Sequence, residues 1–175
     1  MIVGLSKKQI ELLFAALNTE LRQEDTKGEL YLMGGAVMCL VYDARASTHD
    51  VDALFKPSKI VREAAARAAL KLGIDEHWLN DGVKGFLSDT GSFTSYLELS
   101  HLKVMVAQAE YLLAMKCLSM RIGEEFHDID DIQYLLRYLN IDDYDSALDI
   151  IAQYYPLERF PQKTLYALEE ICQGK

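Results

Sequence analysis

Two short stretches of this sequence hold the residue types that phosphate chemistry uses. Asp50 and Asp52 stand two apart in Asp50-Val51-Asp52-Ala53-Leu54-Phe55. Upstream, Gly34-Gly35 closes the apolar run Leu30-Tyr31-Leu32-Met33. On a strand, residues two apart project from one face, so both carboxylates are expected to point together while Val51 enters the core. Two convergent carboxylates suit Mg²⁺ or Mn²⁺, hard cations that take oxygen ligands and also bind nucleotide phosphates. Glycine at 34 and 35 lets the backbone approach a phosphate, and a following helix turns N–H groups and its positive dipole end to the same place. Asp-x-Asp alone is common in an acidic chain, and Gly-Gly alone is an ordinary turn. Their pairing carries the reading.

Elements must hold these residues in place. Ser6-x-x-Gln9 is a capping-box start, and Ile10, Leu13, Phe14, Leu17 and Leu21 recur behind it at helical spacing. A short buried strand is expected at Leu30–Met33, a helix at Ala36–Tyr42, and a second strand at Asp50–Phe55 stopped by Pro57. Ser58 is expected to cap an Ala-rich helix over Lys59–Leu72 that ends at Gly73. Periodicity is lost from Asp75 to Ser92, and Ser95–Met105 alternates as one or two further strands. Four helical patterns follow, at Ala109–Ile122, Asp128–Leu139, Asp143–Tyr155 and Pro161–Gln173. The expected fold class is α/β (α+β): a small mixed sheet with flanking helices over residues 1–107, and a helical subdomain packed on it over 108–175.

The chain has 175 residues, half of them hydrophobic, enough for one substantial core. Its first residues lack the pattern of a signal peptide and no run approaches transmembrane length, so the expectation is a cytoplasmic protein without a membrane partner. Cys39, Cys117 and Cys172 are widely spaced in apolar patterns and read as buried free thiols. A net charge of −9 disfavours nonspecific coating of nucleic acid, which needs a surplus of Lys and Arg. His127-Asp128 matches the His-Asp pair of metal phosphohydrolases, but His49, His77 and His101 lack the ligand spacing such a site needs.

The segment Leu32-Met33-Gly34-Gly35-Ala36, followed by Arg45-Ala46-Ser47-Thr48-His49-Asp50-Val51-Asp52, resembles the minimal nucleotidyltransferases of the DNA polymerase beta superfamily, with their Gly-Gly turn, helix, and Asp-x-Asp strand. The nearer resemblance is to the AbiEii-like and MenT-like toxin nucleotidyltransferases and related bacterial proteins. Leu112-Leu113-Ala114-Met115-Lys116, Arg121 and His127-Asp128-Ile129-Asp130-Asp131 extend it, so that it covers roughly residues 28 to 136. His127 stands where those proteins carry Arg or Lys.

The resemblance implies transfer of a nucleoside monophosphate from a nucleoside triphosphate to an RNA (tRNA) or protein acceptor, in the setting of a toxin with a cognate antitoxin. Asp50 and Asp52 would hold Mg²⁺ or Mn²⁺. Gly34, Gly35, Arg45, Ser47 and Thr48 would meet the nucleotide, and Lys116 would neutralise the triphosphate. Asp128 or Asp131 would orient Lys116 or act as base, and Glu98 is the candidate for a third metal carboxylate. Asn80 is a further nucleotide-contact candidate. The plainer readings are that Lys116 snorkels with its stem over the core, and that Asp128 and Asp131 cap a helix. The alternative function is a non-catalytic nucleotide- or partner-binding module that keeps the fold.

Overall fold

The computed structural model describes residues 4–123 and 126–174, so residues 1–3, 124–125 and 175 of the expected core and helical subdomain lie outside the described residues. The chain divides into two compact units. One is α/β, formed by residues up to Gly85 with Phe93–Ala107, and the other is helical, formed by Phe86–Ser92 with the chain from Gln108 onward.

In the α/β unit the chain runs β1 (Leu5–Ser6), α1 (Lys7–Gln23), β2 (Gly28–Met33), α2 (Gly34–Leu40), β3 (Ser47–Thr48), β4 (Val51–Lys56), α3 (Ser58–Leu72), β5 (Leu79–Asn80), β6 (Phe93–Glu98) and β7 (Leu102–Ala107). Five strands form a mixed sheet in the order β5-β4-β2-β7-β6, and β1 pairs with β3 in a separate two-stranded ribbon. Strand β2 sits at the centre, antiparallel to β4 and parallel to β7.

Alternation along the strands gives the sheet two unlike faces. Leu30, Leu32, Val51, Ala53, Phe55, Val104 and Val106 are buried on one of them. A Cβ placed on Gly28, in the same alternation, would lie 2.8 Å from Leu21 Cδ1 and 3.1 Å from Val61 Cγ2, so α1 and α3 both press on this face. The Ser6 capping box forms as expected, with Gln9 N–H donating to Ser6 Oγ and Ser6 N–H to Gln9 Oε1. Glu20 of α1 is buried beneath Arg67 and Lys71 of α3. The Lys71 bond and, behind it, Arg67 hold its carboxyl below the ordinary range against the opposing cost of burial.

Three of the differences from expectation lie around the Asp50-Val51-Asp52 segment. Strand β4 begins at Val51, which leaves Asp50 in the bend before it. Pro57 precedes α3 and Ser58 is its first residue, so Ser58 does not serve as a cap. Leu79–Asn80, inside the stretch without periodicity, is a strand parallel to β4. A two-residue strand is below what a period-two pattern can reveal. Trp78 fixes it: the ring is 1% exposed, the indole N–H donates to Ala65 O at 3.0 Å, and Trp78 O accepts from Val51 N at 2.7 Å.

The helical unit holds α4 (Ala109–Leu118), α5 (Asp128–Tyr138), α6 (Tyr144–Ile151) and α7 (Gln162–Gln173). Segment 86–92 is stitched to this unit, where Ser88 N–H donates to Tyr111 Oη at 3.0 Å and Thr90 Oγ1 to Gln153 O at 2.8 Å. Cys39, Cys117 and Cys172 are buried and unbridged. Among the described residues no helix is long and apolar enough to cross a membrane.

Trp78 joins α3 to the β4–β5 pairing, so Trp78→Ala is expected to lower stability by about 3–5 kcal/mol. Equilibrium denaturation checks this, and a loss below about 1 kcal/mol contradicts the anchoring role.

Candidate functional site

At the carboxyl end of β2 the chain turns through Gly34, whose φ of +70° is a left-handed conformation that side chains rarely adopt. A Cβ at this position would also lie 2.7 Å from Asp52 Oδ2. The strand pairing explains the approach, because Met33 is registered opposite Asp52 across β2 and β4. At Gly35 a Cβ would lie 2.7 Å from Arg45 Nη1 and 2.8 Å from Thr48 Oγ1. One carboxylate, one guanidinium and one hydroxyl therefore close on two adjacent glycines, and the missing side chains are what give them room.

Asp50 joins this group by another route. Asn80 is registered beside Asp52 across β4 and β5, and its Nδ2 donates to Asp50 Oδ2 at 2.7 Å. Thr48 Oγ1 donates to Asp50 O at 3.2 Å. Asp50 is thus placed by a bend pinned by Asn80 and Thr48, whereas Asp52 is placed by strand register. Asn80, expected to touch a nucleotide, is here the residue that orients Asp50. Ser47 and Thr48 separate as neighbours on a strand must: Thr48 is buried against Gly35, whereas Ser47 is exposed with its Oγ against Gly4.

Glu98 does not join this group. It is registered with Lys103, which pairs with Glu29, which pairs with Lys56. Glu98 therefore lies three strands across and four residues along from Asp52, on the order of 20 Å at ordinary strand spacings. On the half-exposed face the row next to Asp52 is Leu54, Tyr31, Met105 and Ser95, without a carboxylate. Among the described residues no group of three or more His, Cys, Asp or Glu is placed to hold a metal ion. Asp50 and Asp52 are the two carboxylates of the motif, oxygen donors of the kind that hard cations such as Mg²⁺ take.

Lys116, Asp128 and Asp131 belong to the helical unit and form a buried ionic cluster. Lys116 Nζ lies 3.2 Å from Asp128 Oδ1 and 2.7 Å from Asp131 Oδ2, with the side chains 8%, 4% and 3% exposed. The snorkelling reading of Lys116 is therefore corrected, since its ammonium is inside and engaged by two carboxylates. The capping reading of Asp128 is corrected as well: His127 is the cap of α5, and Asp128 is its first helical residue. Asp128 Oδ2 instead accepts from Arg121 backbone N–H at 2.9 Å and Arg121 Nε at 3.0 Å. Burial raises the Asp128 pKa, but the bonds to Arg121 and the nearby Lys116 outweigh it and hold the carboxyl below the ordinary range. Arg121 itself is 60% exposed and stacks 4.6 Å from the Phe126 ring centre.

Comparison of the chain with protein-family models, curated proteins and solved structures gives no match.

Two outcomes follow from this geometry. Gly34→Ala is expected to cost about 1–2 kcal/mol from the left-handed backbone alone, while Asp52→Ala stays within about 1 kcal/mol of wild type. Thermal melts of the two variants check this, and a neutral Gly34→Ala contradicts the close approach. A carboxyl with a depressed folded pKa contributes stability above its unfolded pKa and loses it as pH falls through the folded one. Asp128→Asn should therefore cost about 3 kcal/mol at pH 7 and flatten the loss of stability below about pH 4. Denaturant titrations at pH 7 and pH 3.5 read both effects.

Proposed function

We propose that this protein is a metal-dependent nucleotidyltransferase with a polymerase-beta-like core, moving a nucleoside monophosphate from a nucleoside triphosphate to an RNA or protein hydroxyl. The observation that carries the reading is the convergence of Asp52, Arg45 and Thr48 on the Gly34-Gly35 turn, with Asp50 held beside it by Asn80. The resemblance of Arg45 to Asp52 and of Gly34-Gly35 to the toxin nucleotidyltransferases gives the same reaction class.

In this reaction the acceptor hydroxyl gives its proton to water, its oxygen bonds to the α-phosphorus, the bond from that phosphorus to the bridging oxygen breaks, and pyrophosphate leaves with the electron pair. A bound Mg²⁺ or Mn²⁺ would supply charge neutralisation on the triphosphate and lower the pKa of the acceptor hydroxyl. Asp50 and Asp52 are the residues to hold it. Asn80 sets the direction of the Asp50 carboxylate, as partners behind a ligand do. The Gly34-Gly35 backbone lets a phosphate come close, and the Arg45 guanidinium beside it suits phosphate oxygens. Lys116, Asp128 and Asp131 act in this reading as a buried cluster that fixes Arg121 and the start of α5. A toxin's role, with an antitoxin to restrain it, belongs to the same proposal.

A second reading, a nucleotide-binding module without turnover, is favoured by one observation: Glu98 lies far from Asp52 and the adjoining row of the sheet lacks a carboxylate.

Incubating the protein with Mg²⁺ or Mn²⁺, each α-labelled nucleoside triphosphate in turn, and total tRNA or cell extract separates the two. Label transfer by wild type that Asp52→Ala abolishes, and that Asn80→Ala lowers about 10–100-fold, is the expected outcome. Metal-dependent nucleotide binding without transfer favours the second reading. Neither binding nor transfer removes both.

A further inference from the structure

The helical unit is far more acidic than the α/β unit. It carries fourteen Asp and Glu against six Lys and Arg, whereas the α/β unit carries thirteen against twelve. Of those six cations, Lys116 is buried on two aspartates, Arg121 is bonded to Asp128, and Arg159 lies over Tyr155. Arg137 of α5 and Lys163 of α7 are exposed, and they flank a single groove of 610 Å³.

Helical spacing builds this groove. On α5, Ile129 and Arg137 lie on one stripe, eight residues apart. On α7, Lys163, Ala167 and Ile171 repeat every four. The floor is aliphatic, formed by Ile129, Ala167 and Ile171 with Ile122, which is 53% exposed. Tyr166, 59% exposed, and Glu170 complete the α7 side.

We infer that this groove docks an amphipathic helix of a partner protein, one whose apolar stripe is flanked by Asp or Glu. The aliphatic floor matches Leu or Ile side chains at helical spacing, the way one helix seats in the groove between two others. Arg137 and Lys163 on the rim match carboxylates on the partner's flanks. The charge of the unit decides between a peptide and a nucleic acid. The unit's excess of Asp and Glu, fourteen against six Lys and Arg, disfavours a polyanion long enough to span it, whereas a short helix meets only the groove's own Arg137, Lys163 and Glu170. Bases also stack on aromatic platforms, and this groove offers one aromatic ring, Tyr166, at its α7 side above an aliphatic floor. Glu170 adds polarity in register along α7, favouring a partner with a basic or amide side chain opposite it. The inference concerns the helical unit alone and stands independently of the catalytic proposal.

A phage-displayed library of helical peptides about 16 residues long, selected against the full chain, tests this. Binders are expected to share an i, i+4, i+7 aliphatic stripe with flanking Asp or Glu. A synthetic consensus peptide should lose affinity at least about tenfold against Arg137→Glu/Lys163→Glu and at raised salt, and similarly against Ala167→Phe, which fills the floor. Thermal melts matching wild type establish that these surface variants fold. The inference is overturned by any of four outcomes: no enrichment over the double variant, equal binding of a Lys-flanked version, affinity unchanged by all three substitutions, or Arg137-dependent binding of single-stranded RNA in place of the peptide. It is also overturned if the chain dimerises and Arg137→Glu dissociates the dimer, since the occupant is then a second copy.

Discussion

The antiparallel pairing of β2 with β4 is the constraint from which the candidate site follows. It sets Met33 opposite Asp52, and so brings the Asp52 carboxylate over the first residue after β2. Any side chain there would collide with Oδ2, and the turn also requires a positive φ, so two separate demands select glycine at 34. Shifting the register by one residue would send Asp52 into the face packed by α1 and α3 and lift Val51 out of it. The burial of Val51, Ala53 and Phe55 therefore fixes where the acidic residue lies, and hydrophobic packing on one side of the sheet aims chemistry on the other.

Asp50 depends on a different kind of support. It precedes the strand, so no ladder holds it, and side-chain bonds take over: Asn80 to its carboxylate and Thr48 to its carbonyl. Asn80 is in turn held by a two-residue strand that Trp78 anchors to α3. The orientation of one carboxylate thus traces back to the packing of an indole some distance from it.

The helical unit resolves its buried charge by mutual neutralisation. Lys116 between Asp128 and Asp131, with Arg121 on the outer oxygen of Asp128, leaves no charge in the cluster without a counter-charge. Such clusters contribute little net stability compared with apolar packing, yet removing one member leaves a buried ion exposed to the full cost of desolvation. The bond from Arg121 backbone N–H to Asp128 also ties the end of α4 to the start of α5, the stretch in which Gly123 lies.

The sequence by itself determined the elements that are long and periodic, the α/β-then-helical order, and the residues of the Gly34-Gly35 and Asp50-x-Asp52 motifs, because helix and strand periods and turn chemistry are local properties. What needed the fold were relations between residues far apart in the chain. The allegiance of segment 86–92 to the helical unit and the short strand at Leu79–Asn80 rest on single contacts too brief for any pattern. Asn80 could be matched to Asp50 only by strand pairing, since thirty residues separate them. Glu98 alternated correctly onto the half-exposed face, yet alternation says nothing of which end of which strand lies beside Asp52. Register across three neighbours decided that. Likewise the spacing of Lys116, Asp128 and Asp131 set them on facing helices, but only packing around them settled that the lysine points inward. Local geometry is written residue by residue, while register and burial are properties of surfaces that meet only once the chain has folded.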